Sequence, residues 1–162
     1  MTYDFKLSCT LEASPEAVYD AWLDSERHSA MTGAPAKIGK RVGDAYAAWD
    51  SYIEGKTLEL VPGRRIVQSW RTSEFAQDDP DSTITVELEP TKTGTRLTLT
   101  HSGVPDDQTD YENSGWRDFY FAPMKAYFAR EIRNAKPAKK GPKTPSAQSS
   151  PSARGPNESR KA

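Results

Sequence analysis

From Tyr3 to Leu11 the odd positions are apolar (Tyr3, Phe5, Leu7, Cys9, Leu11) and the even ones between them are polar. A period of two describes a strand with one face buried and the other in water. The pattern breaks at Ala13-Ser14-Pro15-Glu16. Ser14 is a helix N-cap residue, Pro15 suits the first turn, and Glu16 sits where the helix dipole favours a negative charge. Val18, Ala21 and Trp22 make the apolar stripe of the short helix that follows. Asp24-Ser25-Glu26 repeats the capping signal. It predicts a second short helix through His28 and Met31, stopping near Gly33.

Residues 34–104 read as strands separated by turns. Residues 36–43, with Gly39 and Gly43, read as turns. Strands are predicted over 45–49 and 52–61, then over Arg65–Thr72 after a turn at Pro62-Gly63. Gly55 inside a strand predicts a bulge. An acidic loop over 76–82 leads to strands over 83–89 and 95–102, joined by a hairpin connection at 90–94. Ile84, Val86 and Leu88 share one face of the first, and Leu97 and Leu99 one face of the second. After a polar loop over 106–113, Ser114 caps a long helix predicted over 114–133. Trp116, Phe119, Tyr120, Met124, Tyr127 and Phe128 recur there at spacings of three and four, and Pro123 predicts a kink.

The order is strand, two short helices, a meander of strands, then one long helix. An antiparallel sheet must cover its apolar face, and the aromatic helix is the only element large enough to do so. The expected fold class is therefore α+β, a curved antiparallel sheet wrapped around a long C-terminal helix. A strongly curved sheet is not filled by one helix, so a pocket is expected between them.

Composition changes this picture at one end. All sixteen aromatic residues lie in 1–134. Residues 135–162 hold five Pro, five Ser and no Val, Ile, Leu, Met or aromatic residue. Such a stretch buries too little apolar surface to offset its ordering entropy, so a disordered basic tail is expected after a single domain over 1–134. The net charge of −1 hides the same division. Residues 1–134 carry 15 basic and 22 acidic side chains, and 135–162 carry seven and one. An acidic domain repels nucleic acid, so no specific nucleic-acid partner is expected. No apolar run approaches the ~20 residues of a membrane span, and the N-terminus lacks a secretory apolar segment. With Cys9 as the only cysteine, no intrachain disulfide forms. A cytoplasmic location is expected, with Cys9 a small core hydrophobe.

Catalytic signals are sparse. His28 and His101 are the only histidines, and neither stands in a metal-ligand spacing. Nucleophile-elbow and P-loop patterns are absent, so no catalytic residue, metal or cofactor is assigned. The acidic clusters Asp78-Asp79-Asp81 and Asp106-Asp107-Asp110 fall in loops and read as solvated. Glu112 and Asp118 flank the start of the terminal helix and read as dipole compensation. His101 continues the parity of Leu97 and Leu99, so it points inward, where an imidazole needs a partner or a ligand. His28 is expected at the surface, near the pocket mouth. The ligand-binding candidates are Trp22, Met31, Trp49, Tyr52, Trp70, Phe75, His101, Trp116, Tyr120 and Met124. They are mostly amphipathic rings spread over elements that should converge.

Several segments together resemble a known family. They are Ser14-Pro15-Glu16-Ala17-Val18-Tyr19-Asp20-Ala21-Trp22, Met31-Thr32-Gly33, Tyr52-Ile53-Glu54-Gly55-Lys56, Pro62-Gly63-Arg64-Arg65-Ile66-Val67-Gln68-Ser69-Trp70-Arg71, the stretch from Gly94 to Pro105, and Gly115-Trp116. In order and spacing these resemble the family named for the activator of the heat-shock-protein-90 ATPase, within the START-like (SRPBCC) superfamily. The resemblance spans about residues 3–133. It implies a helix-grip fold with a hydrophobic cavity between sheet and helix. It also implies the C-terminal part of the eukaryotic co-chaperone, without the N-terminal domain that carries the main chaperone-stimulating motif. Superfamily relatives bind lipids, hormones or polyketides, and some catalyse cyclisation or dehydration; none of their catalytic motifs maps here. The expected function is binding of a small apolar or amphipathic ligand. The alternatives are a polyketide-cyclase-like enzyme using His101, and a module contacting a chaperone or other protein. No oligomeric state is specified by the pattern.

Overall fold

The capping signals of the two short helices act where the sequence places them, whereas Ser114, expected to cap the terminal helix, lies inside a π-helical turn that starts at Tyr111 and has no side-chain cap. In the computed structural model, which describes residues 1–140 and side chains through residue 131, Ser14 Oγ accepts from the Ala17 N–H at 3.1 Å and opens α1 (Pro15–Leu23). Asp24 caps α2 (Ser25–Thr32) through the Arg27 N–H at 3.0 Å. Gly33, at φ 82°, ends α2 in the left-handed conformation that glycine adopts without steric cost.

Seven strands form one antiparallel sheet: β1 (Thr2–Leu11), β2 (Lys37–Ile38), β3 (Ala45–Ala48), β4 (Ile53–Val61), β5 (Arg65–Thr72), β6 (Ser82–Pro90) and β7 (Thr95–Pro105). Their spatial order is β1-β7-β6-β5-β4-β3-β2, so β1 returns to pair with the last strand while the others form a meander. Register puts the apolar parities of neighbouring strands on one face. Leu7 opposes Leu99, Leu99 opposes Val86, and Val86 opposes Ile66. The inward row of β5 is Ile66, Gln68, Trp70 and Thr72, all buried.

Three features depart from the sequence reading. Lys37–Ile38, expected in turns, pairs with β3 as a two-residue strand. The bulge expected at Gly55 lies further along, between Thr57 and Glu59. Gly55 instead permits a close approach: a Cβ there would collide with the Ser69 carbonyl and the Tyr46 ring. The terminal helix begins earlier and more widely wound than expected. Two π-helical turns, Tyr111–Gly115 and Arg117–Phe121, precede α3 (Ala122–Lys140). The predicted kink at Pro123 thus becomes a change of helix type. The Ala122 N–H bonds back five residues to Arg117, and the regular α-helix starts next to the proline, where a missing N–H is tolerated.

Residues Met1–Phe128 form one compact unit, and the rest of α3 falls in a second. Within the first, Trp116, Tyr120, Phe121, Met124 and Phe128 are buried together with the sheet's inward rows and with Val18 and Trp22 of α1. The architecture is the α+β helix-grip arrangement, a curved antiparallel sheet with a long C-terminal helix. Of the tail expected over 135–162, the first six residues continue α3 to Lys140. The remainder lies outside the described residues.

Candidate functional site

A cleft of about 450 Å³ opens between the start of the terminal helix and the ends of β4 and β5. Its walls carry Trp49, Tyr52, Trp70, Trp116 and Tyr120, five of the ten ligand-binding candidates. Tyr111, Phe119, Ile53, Glu74, Gln108, Asp110, Ser114 and Gly115 complete the lining. The π-helical winding explains how Tyr111 and Trp116 share a wall. Five residues along a straight α-helix would set two side chains about 140° apart. The wider π turn, closed by the Trp116 N–H bonding to the Tyr111 carbonyl, brings them onto one face.

Trp49 sits at the other wall in an unusual backbone. It was expected to end a strand, but β3 stops at Ala48. Trp49, Asp50 and Ser51 then take φ values of 53°, 57° and 69°. Three successive non-glycine residues in the left-handed region are strained, by roughly 1–2 kcal/mol each. The turn sets the Trp49 ring edge-on against Phe119, with centroids 5.3 Å apart. The Trp49 Nε1–H is buried with no hydrogen-bond partner among the described residues.

The other five candidates lie behind the walls. Met31 and Met124 are core residues, 2% and 0% exposed. Trp22 stacks on Tyr120 with centroids 5.2 Å apart and donates its indole N–H to Gln68 Oε1 at 3.1 Å. Gln68 Nε2 donates in turn to Thr57 Oγ1 at 3.2 Å. Phe75 packs on Trp70, with the Arg71 guanidinium 5.4 Å from its ring centroid.

His101 points inward as its parity predicts, but it faces no cleft. Its Nδ1 lies 3.0 Å from Trp116 Nε1, which can only donate. The proton therefore sits on Nε2, which donates to Ser82 Oγ at 2.8 Å, and Ser82 donates to the Trp70 carbonyl at 2.6 Å. Burial pushes the His101 pKa down to about 3. His28, expected at the surface, is 2% exposed. Its Nδ1 lies 2.9 Å from the Trp22 carbonyl, which can only accept, so Nδ1 carries the proton. Nε2 then accepts from the Tyr120 hydroxyl at 2.8 Å. Burial lowers its pKa to about 4, the bond to the Trp22 carbonyl opposing the shift. The two imidazoles are neutral, satisfied and protonated on opposite nitrogens. Cys9 is half-buried, and burial raises its thiol pKa to about 11.

One wall is a chain of hydroxyls. Tyr52 donates to Glu74 Oε1 at 2.8 Å, and the Tyr111 hydroxyl is 2.8 Å from Thr72 Oγ1 and 3.4 Å from that of Tyr52. Desolvation raises the pKa of Tyr52, Tyr111 and Tyr120, so all three phenols stay protonated near neutral pH. The lining contains no Lys, Arg, His or Cys. Among the described residues no group of three His, Cys, Asp or Glu side chains is placed to hold a metal. No described helix is long and apolar enough to cross a membrane. What the cleft offers is aromatic faces, hydroxyls and two carboxylates.

Residues 12–129 match the family described as Activator of Hsp90 ATPase homolog 1-like protein. The chain belongs to this family. Its similarity to human Activator of 90 kDa heat shock protein ATPase homolog 1 is 28% identity over 132 residues, covering 82% of this chain and 39% of that protein. The chain thus spans about two-fifths of the human relative. Among solved structures, an HSP90 activator from Plasmodium falciparum aligns with TM-score 0.65 and 22% identity, over 83% of this chain and 96% of that one. At that identity the likeness shows the fold. A protein from Chromobacterium violaceum aligns with TM-score 0.62 and 28% identity, over 78% and 97% of the two chains. Nearly the whole of both solved chains is covered, so this member of the Hsp90-ATPase-activator-like family aligns with chains consisting almost entirely of this fold.

Proposed function

We propose that the protein binds a small apolar or amphipathic molecule in the aromatic cleft, without transforming it. The observation that carries this reading is the lining itself: seven aromatic side chains around about 450 Å³, against four polar ones, Glu74, Gln108, Asp110 and Ser114. Burying apolar ligand surface yields about 25 cal/mol per Å², so a few hundred Å² support binding where the walls are preformed. Both nitrogens of His101 are committed to Trp116 and Ser82. An acid–base role for this histidine would require breaking that network, which disfavours the cyclase-like alternative. Three tryptophans line the cleft, so occupancy is expected to quench intrinsic fluorescence saturably. A titration with a library of hydrophobic and amphipathic ligands tests this. No saturable response from any of them refutes the reading.

A second reading, contact with an Hsp90-type chaperone, is favoured by the name of the human relative. Calorimetric titration of the chaperone with the chain, with and without residues 135–162, tests it. Absence of heat in both titrations refutes it.

A further inference from the structure

Resting on the reading of the cleft as a ligand site, we propose that its ligand is an organic cation, an amphiphile bearing an alkylated ammonium group. The rings of Trp49, Tyr52, Tyr111 and Phe119 present aromatic surface to one volume. Aromatic faces carry a negative quadrupole and attract cations, most strongly where water is excluded. Glu74 and Asp110 line the same volume, and no basic side chain does. Both carboxylates are exposed, and neither is in an ion pair among the described residues. Across the cleft wall the charge is therefore uncompensated.

The sign excludes alternatives. A fatty acid would place its carboxylate beside two others with no cation to offset the repulsion. A neutral lipid would supply no counter-charge to either carboxylate, although Glu74 already accepts the Tyr52 hydroxyl. A primary ammonium needs three directed acceptors to replace its hydration, whereas an alkylated one spreads its charge and has fewer or no N–H groups to satisfy.

Three probes of equal chain length test the proposal by tryptophan fluorescence on the full chain: octanoylcholine, its uncharged carbon isostere 3,3-dimethylbutyl octanoate, and octanoate. The choline ester is expected to bind at least tenfold more tightly than the isostere. Octanoate is expected to bind most weakly. The preference should shrink as salt is raised and fall below about threefold in the double variant Glu74→Gln/Asp110→Asn. Both side chains are exposed, so the variant should fold; its circular dichroism and melting temperature check this. Equal or tighter binding of the isostere overturns the cationic assignment while leaving a ligand cleft. An undiminished preference in a folded double variant overturns the role of the carboxylates. No saturable binding of any probe overturns this proposal and removes the support for the cleft reading.

Discussion

Ser82 shows how one hydroxyl holds two elements in place. It receives the His101 Nε2–H and donates to the Trp70 carbonyl, so it joins β7 to β5 across β6. Removing it leaves a buried imidazole N–H without an acceptor and weakens the hold on Trp70, a wall of the cleft. Ser82→Ala is expected to cost about 1–3 kcal/mol, the range for orphaning a buried polar group. Urea denaturation of the two proteins measures it; a loss under ~0.5 kcal/mol would mean the network is not intact in solution. This part of the site was half legible. Parity placed His101 on the inward face, because alternation along a strand is a local property. Its partners were not legible, since Ser82 and Trp116 meet it only through strand pairing and helix docking. The burial of His28 was missed for the same reason. Nothing in a polar octapeptide, Ser-Glu-Arg-His-Ser-Ala-Met-Thr, announces that Tyr120 will supply a hydroxyl from 92 positions away.

At the scale of elements, Gly55 fixes how closely β4, β5 and β3 approach. The Tyr46 hydroxyl donates to the Ser69 carbonyl at 2.7 Å across the place where a Gly55 side chain would stand. Gly55→Ala is expected to lower stability by roughly 1–3 kcal/mol, the usual range for an overpacked site, because the new methyl meets the Ser69 backbone carbonyl first and the Tyr46 ring next, forcing β4 and β5 apart. A thermal melt reads the loss, and an unchanged melting temperature would contradict the close packing described. Strands and caps were mostly legible here: β5 begins and ends at the predicted residues, and both short helices start at their predicted caps. The cleft's helical wall was less so. The spacing of three and four that marks an α-helix describes Met124 and Phe128 well, but it cannot place Tyr111, which reaches the cleft through a π turn. The left-handed run at Trp49–Asp50–Ser51 contains no glycine, so no residue type signalled it.

For the molecule as a whole, the two buried histidines set an acid limit. Each stays neutral in the fold to about pH 4 (His28) or about pH 3 (His101), while its ordinary pKa is 6.5. Between those values the unfolded chain binds more protons than the folded one, so stability falls as pH falls. Their stabilising effect is complete above about pH 6.5 and is lost downward through about pH 4 for His28 and about pH 3 for His101. The slope approaches ~1.4 kcal/mol per pH unit for each histidine. Urea titrations from pH 7 to pH 4.5 should show the decline, with a shallower slope in His28→Gln. A pH-independent stability over that range would show that the imidazoles are not held neutral.

Trp116 and Tyr120 have a double allegiance. Each presents a surface to the cleft, and each donates a hydrogen bond to one buried imidazole. Their rings also touch, with centroids 4.9 Å apart. A molecule settling against either ring by a few tenths of an ångström alters a bond to a nitrogen it never meets. Nitrogen-15 resonances of two interior side chains thereby become a gauge of occupancy, one reporting from Nδ1 protonation and the other from Nε2.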